Sequence, residues 1–527
     1  MGKKSSHRDD AQWQRVDVFS ALQGELHAPE PSASTHGRWA FLARLWDTIQ
    51  VPTLLICLGS LSALLAASID RVKSVLAWRH LVVEDSREVD AQSMTVYVLG
   101  CVACSMLSLL AIDLLCPSGR GGGIPEIKTI LSGNIKPALL SWRLVAGKTL
   151  GLMFAQLGGL SVGEEGPMIH ITCALADLFM RSHPFRSIHR HASQRLAILG
   201  CAAGAGVTSI FGTAYGGMLF TIELTSYSYI TENLPRAFLA CISCLVVFLS
   251  IDPNTGYLLF GSKSPPEHDE HEPYTPIHLV TFTLVGIVAG LSGAGFVFLV
   301  AKVSELRNTF LAPRAHEKAD DYSCWVRRWA YTFVVSTFIA FLTYIEMVGA
   351  FGTDRSGFTI YSVFQPDQQH SALAMILYVP YKVITTLFSV TLPLPVGLFT
   401  PVFQIGGALG HLTGDLFKAS STFNAISIDV TAQDFALAGA AAFAAGVTRA
   451  SSTAIIVYEL CIVSHLRVPI GVAIATAAFV GNSFSKDIYE SLVDTNGVPL
   501  SPKLTRGLHA LPASEIAIDV AASLCLT

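Results

Sequence analysis

Two hydrophobic stretches of this 527-residue chain are broken in the same way. The first runs Ser161-Val162-Gly163-Glu164-Glu165-Gly166-Pro167 and the second Pro395-Val396-Gly397-Leu398-Phe399-Thr400-Pro401. Each reads Val-Gly-x-x-x-Pro and continues into small residues that close on Ala-Leu, at Ala174-Leu175 and Ala408-Leu409. The glycines Gly163 and Gly397 are 234 residues apart (397 − 163). A chain whose halves interrupt a hydrophobic segment at matching places is built like a transporter or channel, with its site between the interruptions.

A second echo supports duplication. Gly200 to Thr208 resembles Gly439 to Thr448 with one inserted residue, and each leads to a Glu-Leu pair, Glu223-Leu224 and Glu459-Leu460. Small-residue helices look alike because glycine and alanine let helices approach in lipid, but two echoes at nearly the same offset point to a repeat.

The surroundings of these breaks are a membrane protein's. Only 14% of the residues are charged and 51% are hydrophobic, where a soluble chain carries roughly a quarter charged. Mean hydropathy is +0.50. Apolar runs cover Pro52 to Ser68, Met94 to Leu115, Leu144 to Val162, Leu196 to Ile222, Ala237 to Ile251, Ile277 to Val303, Trp329 to Ala350, Ala372 to Val396, Phe435 to Val463 and Val468 to Val480. Several fall short of the ~20 residues of a simple span, and irregular backbone survives at membrane depth only where protein or water covers it. The expected fold is an all-α polytopic membrane protein made of two inverted-topology repeats of tilted and broken helices. Its organisation is read as an N-terminal segment over 1–45, a membrane domain over 46–493 with halves near 50–250 and 275–493, and a C-terminal tail over 494–527. No cleavable leader is expected, since the first 45 residues are polar and of mixed charge.

Charge gives the orientation. Lys302, Arg307, Arg314, Lys318, Arg327 and Arg328 crowd what reads as one loop from Lys302 to Arg328, while the neighbouring loops hold one basic residue each, Lys263 and Arg355. The basic loop then faces the cytoplasm, which places Glu223 at a cytoplasmic helix end and both termini in the cytoplasm. The net charge of −4 is uninformative for a membrane protein, and no nucleic-acid partner is expected. Cys101/Cys104 and Cys241/Cys244 have C-x-x-C spacing but no histidine or charged companion, and read as small hydrophobes. No metal or organic cofactor is expected.

Three glycine-proline breaks carry the chemistry: Gly121-Gly122-Gly123-Ile124-Pro125, Gly163 to Pro167, and Gly397 to Pro401. Proline is tolerated in the first helical turn, and the glycines before it let the backbone turn. Helix starts present free N–H groups and a positive dipole end. Three of them converging at mid-membrane would bind a partly dehydrated anion. Glu165, a carboxylate at such a start, can itself occupy the anion position and move aside when protonated or displaced. Intramembrane carboxylates are functional candidates; the plainer reading is a helix cap worth ~1 kcal/mol.

With these motifs in order, the chain resembles the CLC chloride channels and proton-coupled chloride exchangers over roughly Val51 to Val493. Lys148 in Gly-Lys-Thr-Leu-Gly, the Gly212 to Glu223 segment, Gly446-Val-Thr-Arg449 and Tyr489 in Asp-Ile-Tyr-Glu-Ser-Leu match as well. The resemblance implies a homodimer in the lipid bilayer with one chloride pathway per subunit. It implies Glu165 as the gate, Gly122 and Tyr489 at the inner constriction, and Gly123, Ile124, Gly166, Leu398 and Phe399 as anion contacts. Chloride is then the bound substrate.

Three departures qualify it. Gly122 stands where the family often has serine, so no hydroxyl reaches the inner ion. Glu164 stands where the family usually has Lys or Arg, a negative charge that should cost an approaching anion about 1 kcal/mol in wet surroundings. Leu224 stands where the exchangers have a proton-carrying glutamate. The last favours passive chloride conduction; the alternative is a proton-coupled chloride or nitrate antiporter whose protons take another route. In the tail, Ser514 to Thr527 could be the start, cut short, of a CBS region; the alternative is a protein without that module.

Other classes fit less well. Gly290-Leu291-Ser292-Gly293 has the form of an intramembrane serine protease motif, but the apolar runs that follow offer no histidine as base. Gly286-x-x-x-Gly290 reads more simply as close helix packing. Glu164 and Glu165, being adjacent, would not face each other on a helix as an acid/base pair. The chain is not expected to be an enzyme, and a non-conducting scaffold would not need three convergent helix starts.

Overall fold

The computed structural model describes residues 14–15, 38–76, 78–79, 82, 91–224, 233–251, 276–312, 322–348, 372–419, 431–460 and 467–497. Most of the N-terminal segment, the acidic loop after 251, the loop over 349–371 and the tail beyond 497 lie outside the described residues. Long helices form the frame: α1 (Arg38–Val75), α2 (Ala91–Leu115), α4 (Trp142–Leu157), α7 (Ala192–Phe211), α9 (Asn233–Ile251), α10 (Pro276–Leu311), α11 (Tyr322–Met347), α12 (Ala372–Thr391), α14 (Ala432–Thr448) and α16 (Arg467–Phe484). Among the described residues, eight helical stretches are long and apolar enough to cross a membrane. Interleaved with the frame are α3 (Ile124–Leu131), α5 (Glu165–Arg181), α6 (Arg186–Arg190), α8 (Ala214–Leu224), α13 (Phe399–Ala419), α15 (Ser452–Leu460) and α17 (Ile488–Asn496). Among the described residues the sheet structure is confined to a two-residue antiparallel pairing of Gln14–Arg15 with Asn134–Ile135 and one isolated bridge.

Two of the apolar runs are not single helices. Leu196 to Ile222 divides into α7 and α8 at Gly212, whose φ of 65° ends the first helix. Phe435 to Val463 divides into α14 and α15 at Arg449, the one described non-glycine residue with positive φ, at 57°. Hydropathy missed both breaks because the connectors are short, Gly212-Thr213 and Arg449-Ala450-Ser451, and a single arginine does not interrupt the apolar run around it. The basic loop is also shorter than its sequence suggests: Lys302 and Arg307 lie on α10, Arg327 and Arg328 on α11.

The duplication is visible as paired contacts. Gly163 N–H donates to Gly397 O at 2.8 Å and Gly397 N–H donates to Gly163 O at 2.9 Å, an isolated antiparallel bridge. Sequence-equivalent residues exchanging bonds in this way require a local two-fold relation between the halves, as inverted repeats have. The short helices repeat the relation. Glu459, near the end of α15, accepts from the Tyr215 and Gly216 amides at the start of α8, at 3.1 and 2.7 Å. Glu223, near the end of α8, accepts from the Ser452 amide at 2.8 Å and from the Ser451 and Ser452 hydroxyls, both at 2.5 Å, at the start of α15. Each carboxylate satisfies amides that have no partner inside their own helix.

Each half has its own apolar core, one containing Ile127, Leu144, Ile169 and Leu199, the other Phe282, Val402, Phe403 and Phe443. Phe399 and Tyr489 pack against both. Between α10 and α16 the glycine spacing sets the approach. A Cβ on Gly286 would sit 2.6 Å from Ala473 O, and one on Gly290 2.8 Å from Ala477 O. Ser292 donates to Val288 O of its own helix at 2.6 Å, so the segment is a packing face.

Candidate functional site

All three proline breaks become helix starts: α3 opens Ile124-Pro125, α5 Glu165-Gly166-Pro167, and α13 Phe399-Thr400-Pro401. Gly123 caps α3 at φ 102°, a conformation that L side chains rarely adopt. Its missing side chain also leaves room for Lys148 and His170: an added Cβ would lie 2.7 Å from Lys148 Nζ and within similar reach of the imidazole. These two are fully buried and bonded, Lys148 Nζ to His170 Nδ1 at 2.9 Å, with His170 Nε2 against Leu139 O at 3.0 Å. Lys148 Nζ has hydrogens only to give, so His170 Nδ1 accepts and its Nε2–H donates to the carbonyl. A buried cation therefore stands directly behind the α3 break.

The three starts are packed backbone to backbone. Gly121 N–H donates to Leu394 O at 3.1 Å. A Cβ on Gly166 would be 3.1 Å from Gly122 O, and one on Gly122 2.8 Å from Val396 O. Glycine at 122 is thus what lets the second-half break approach the first. The Gly122 position has no room for a serine unless Val396 shifts, which the sequence comparison with the family could not reveal.

Glu165 folds back over the Gly163–Gly397 bridge, its Oε2 only 2.7 Å from where a Gly397 Cβ would stand. Thr400 Oγ1 donates to Glu165 Oε1. Oε2 is buried with no hydrogen-bond partner among the described residues, and the residue is 4% exposed. A carboxylate so placed lies between the first turns of α5 and α13, where amide N–H groups are free. Thr400 was not singled out from the sequence, although it occupies the place in the second break that Gly166 occupies in the first.

Glu164 is not alone. Lys73 Nζ at the end of α1 donates to its carboxylate and also pairs with Asp70 at 2.6 Å. The expected Coulomb penalty of Glu164 on an anion is therefore offset by a cation from another helix. The charged group Asp70, Arg71 and Lys73, just after the apolar run that ends at Ser68, was the available signal.

Of the residues singled out from the sequence, Gly122, Ile124, Gly166, Leu398 and Tyr489 line one cavity of about 340 Å³. Gly123, Glu165 and Phe399 flank it at the helix starts; the Phe399 ring meets Phe211 edge-on at 5.0 Å and stacks on Phe403 at 6.0 Å. Leu224 is elsewhere. It lines a second cavity of about 710 Å³ with Lys128, Glu223, Arg449 and Glu490, and Tyr489 lines both. Sequence reasoning also missed Arg120, Arg307 and Arg328 on the first cavity; Arg307 and Arg328 had been read only as topology signals.

A family model described as "Voltage gated chloride channel" matches residues 101–482. The chain belongs to this family. Among its relatives, chloride channel protein F of Dictyostelium discoideum is 28% identical over 91% of this chain and 60% of its own length. Human chloride channel protein 2 is 28% identical over 75% of this chain and 47% of its own. The human H(+)/Cl(−) exchange transporter 3 is 28% identical over 85% and 58%. The chain thus spans about half to three-fifths of the curated relatives it matches. Among solved structures, a eukaryotic CLC transporter superposes with a TM-score of 0.71 at 28% identity, covering 88% of this chain and 77% of that one. A slow cyanobacterial Cl−/H+ antiporter superposes with a TM-score of 0.71 at 18% identity, covering 85% and 97%, a likeness of fold alone. Members named as channels and as exchangers are equally distant from this CLC-family chain, so their names do not separate the two mechanisms.

Proposed function

We propose that this protein carries small anions, chloride first among them, across a membrane by passive conduction gated by Glu165. The observation that carries the reading is the Glu165 carboxylate, lodged between the starts of α5 and α13 and held by Thr400. It stands where an anion would be stabilised by free amides. When it is protonated or displaced, the same amides become available to chloride, whose inner contacts are Gly122, Gly123, Ile124, Gly166, Leu398, Phe399 and Tyr489. The working form is a homodimer with one pathway per subunit, residues 46–493 forming the membrane unit and both termini cytoplasmic. It performs no bond-making chemistry.

Passive conduction is favoured over proton exchange by the second cavity. Leu224 there has no proton to carry. The adjacent Glu223 is committed to the start of α15 by three hydrogen bonds, and Asp487 caps α17 through the Glu490 amide at 2.6 Å while pairing with Lys128 at 3.2 Å. The deciding experiment is paired chloride and proton flux from purified protein in liposomes under a chloride gradient. Chloride efflux without proton uptake is expected. Efflux that drives protons uphill would establish an exchanger and overturn the passive reading; no chloride flux at all would overturn the anion assignment.

A further inference from the structure

The stretch from the end of α5 to the start of α7 has no part in the anion pathway and is strongly basic. Over 181–195 it holds four arginines, three histidines and no Asp or Glu. Asp177, fully buried on α5, is shared by Arg181 at 2.6 Å and Arg195 at 2.7 Å. Two guanidiniums thus face one carboxylate. Arg181 also lines a cavity of about 420 Å³ with Leu115, Pro117, Ser118, Trp142 and Arg143. Among the described residues, no Asp or Glu lines it. Arg143 makes no ion pair among the described residues, and its guanidinium lies 5.8 Å from the centre of the Trp142 ring. The cavity therefore carries an excess of positive charge.

Its position fits a membrane surface. Trp329 Nε1 donates to Asp113 Oδ2 at 3.1 Å. That bond joins the end of α2, beside the cavity, to the start of α11, which carries Arg327 and Arg328. The cavity thus lies on the side that the basic residues assign to the cytoplasm. Trp142 is 60% exposed, as suits a ring resting between head groups and acyl chains. Leu107, Leu110 and Leu114 are all exposed. Spaced three and four apart, they share one face of α2, an apolar track that ends beside Leu115 at the cavity.

The volume exceeds what a lone phosphate needs and falls in the range of about 300–1,000 Å³ that holds a whole small molecule. Guanidiniums pair with phosphate oxygens through two parallel N–H bonds. We propose that this cavity binds the head group of an acidic phospholipid from the cytoplasmic leaflet. Arg143 and Arg181 hold a phosphate monoester on that head group, and the acyl chains follow the leucines of α2. None of the lining residues belongs to either cavity of the anion pathway. The site therefore stands whether the chain conducts passively or exchanges protons.

The test is binding of a dioctanoyl phosphatidylinositol monophosphate to the purified full chain, followed by native mass spectrometry. One saturating site per chain is expected, and dioctanoyl phosphatidylcholine should not displace the lipid from it. Arg143→Gln should weaken binding about fivefold, since one basic side chain near a membrane anion contributes ~1 kcal/mol. Arg143→Lys keeps the charge but not the planar fork and should lie between the two. Lys302→Gln removes an exposed charge elsewhere on the same side and should bind as wild type does. Displacement by phosphatidylcholine, a result that needs no variant, would overturn the site. So would unchanged binding in Arg143→Gln, or an equal loss in Lys302→Gln, which would mean diffuse surface attraction. Inositol bisphosphate, the soluble head group, binding as tightly as the lipid would overturn the lipid assignment in favour of a free phosphate.

Discussion

Gly163 and Gly397 hold each other through both backbone hydrogen bonds, and a side chain at Gly397 would meet backbone while one at Gly163 would meet the Glu165 carboxylate. A Cβ on Gly397 would lie 2.7 Å from Gly163 O and 2.7 Å from Glu165 Oε2. The bridge between the halves and the seat of the gate are therefore one structure. Gly397→Ala must push the bridge apart, and overpacking of this kind costs about 1–3 kcal/mol. Loss of a sharp size-exclusion peak or a lowered melting temperature in detergent is expected; wild-type stability would mean the bridge does not hold the halves.

Glu165→Ala removes the resident carboxylate. Wild-type chloride flux should rise as external pH falls, because protonation cancels the attraction between the carboxylate and the helix starts. The variant should conduct at all external pH values alike. Retained pH dependence in liposome efflux would show that another group is the gate.

Thr400→Val keeps shape and deletes the donor to Glu165. A hydrogen bond to a charged group contributes about 1.5–3 kcal/mol, so the occupied state should weaken by roughly tenfold or more. The resting flux should be higher than wild type, with Thr400→Ser close to normal. Equal resting flux in wild type and Thr400→Val would separate Thr400 from gating.

Lys73→Ala leaves Glu164 without its partner beside the gate. An uncompensated charge there should lower anion access from the outer side by about fivefold, ~1 kcal/mol in wet surroundings, and added salt should shrink the effect. Adding Glu164→Ala should restore access. A double-mutant cycle with no coupling would mean the pair has no influence on the ion.

Gly122→Ser brings the family's usual hydroxyl to the cavity, and the sequence comparison alone anticipates a higher preference for chloride over nitrate. The structure adds a cost: the serine must displace Val396 O, so thermal stability should fall while selectivity rises. An unchanged anion ratio in bi-ionic flux would exclude Gly122 from the ion's path.

The breaks were legible in the sequence because glycine and proline are the residues that end and begin helices, and they recur at one offset. Glu165 was legible because a carboxylate in an apolar segment is costly and needs a reason. Thr400 and Lys73 were not, since each acts on a residue distant in the chain: Thr400 on Glu165, Lys73 on Glu164. Composition gives a lysine's charge but not what stands beside it. The splits at Gly212 and Arg449 were hidden for a related reason, as a helix can turn back within an unbroken apolar run when neighbouring helices cover the turn.

The crossed caps of Glu223 and Glu459 have a consequence for biosynthesis. When the first half leaves the ribosome, the start of α8 has open amides in an apolar medium, and the carboxylate that closes them is still more than two hundred residues from being made. The start of α15, in turn, finds its cap already waiting. The start of α8 therefore acquires its cap only when α15 is made, so the two halves complete each other's helix ends rather than their own.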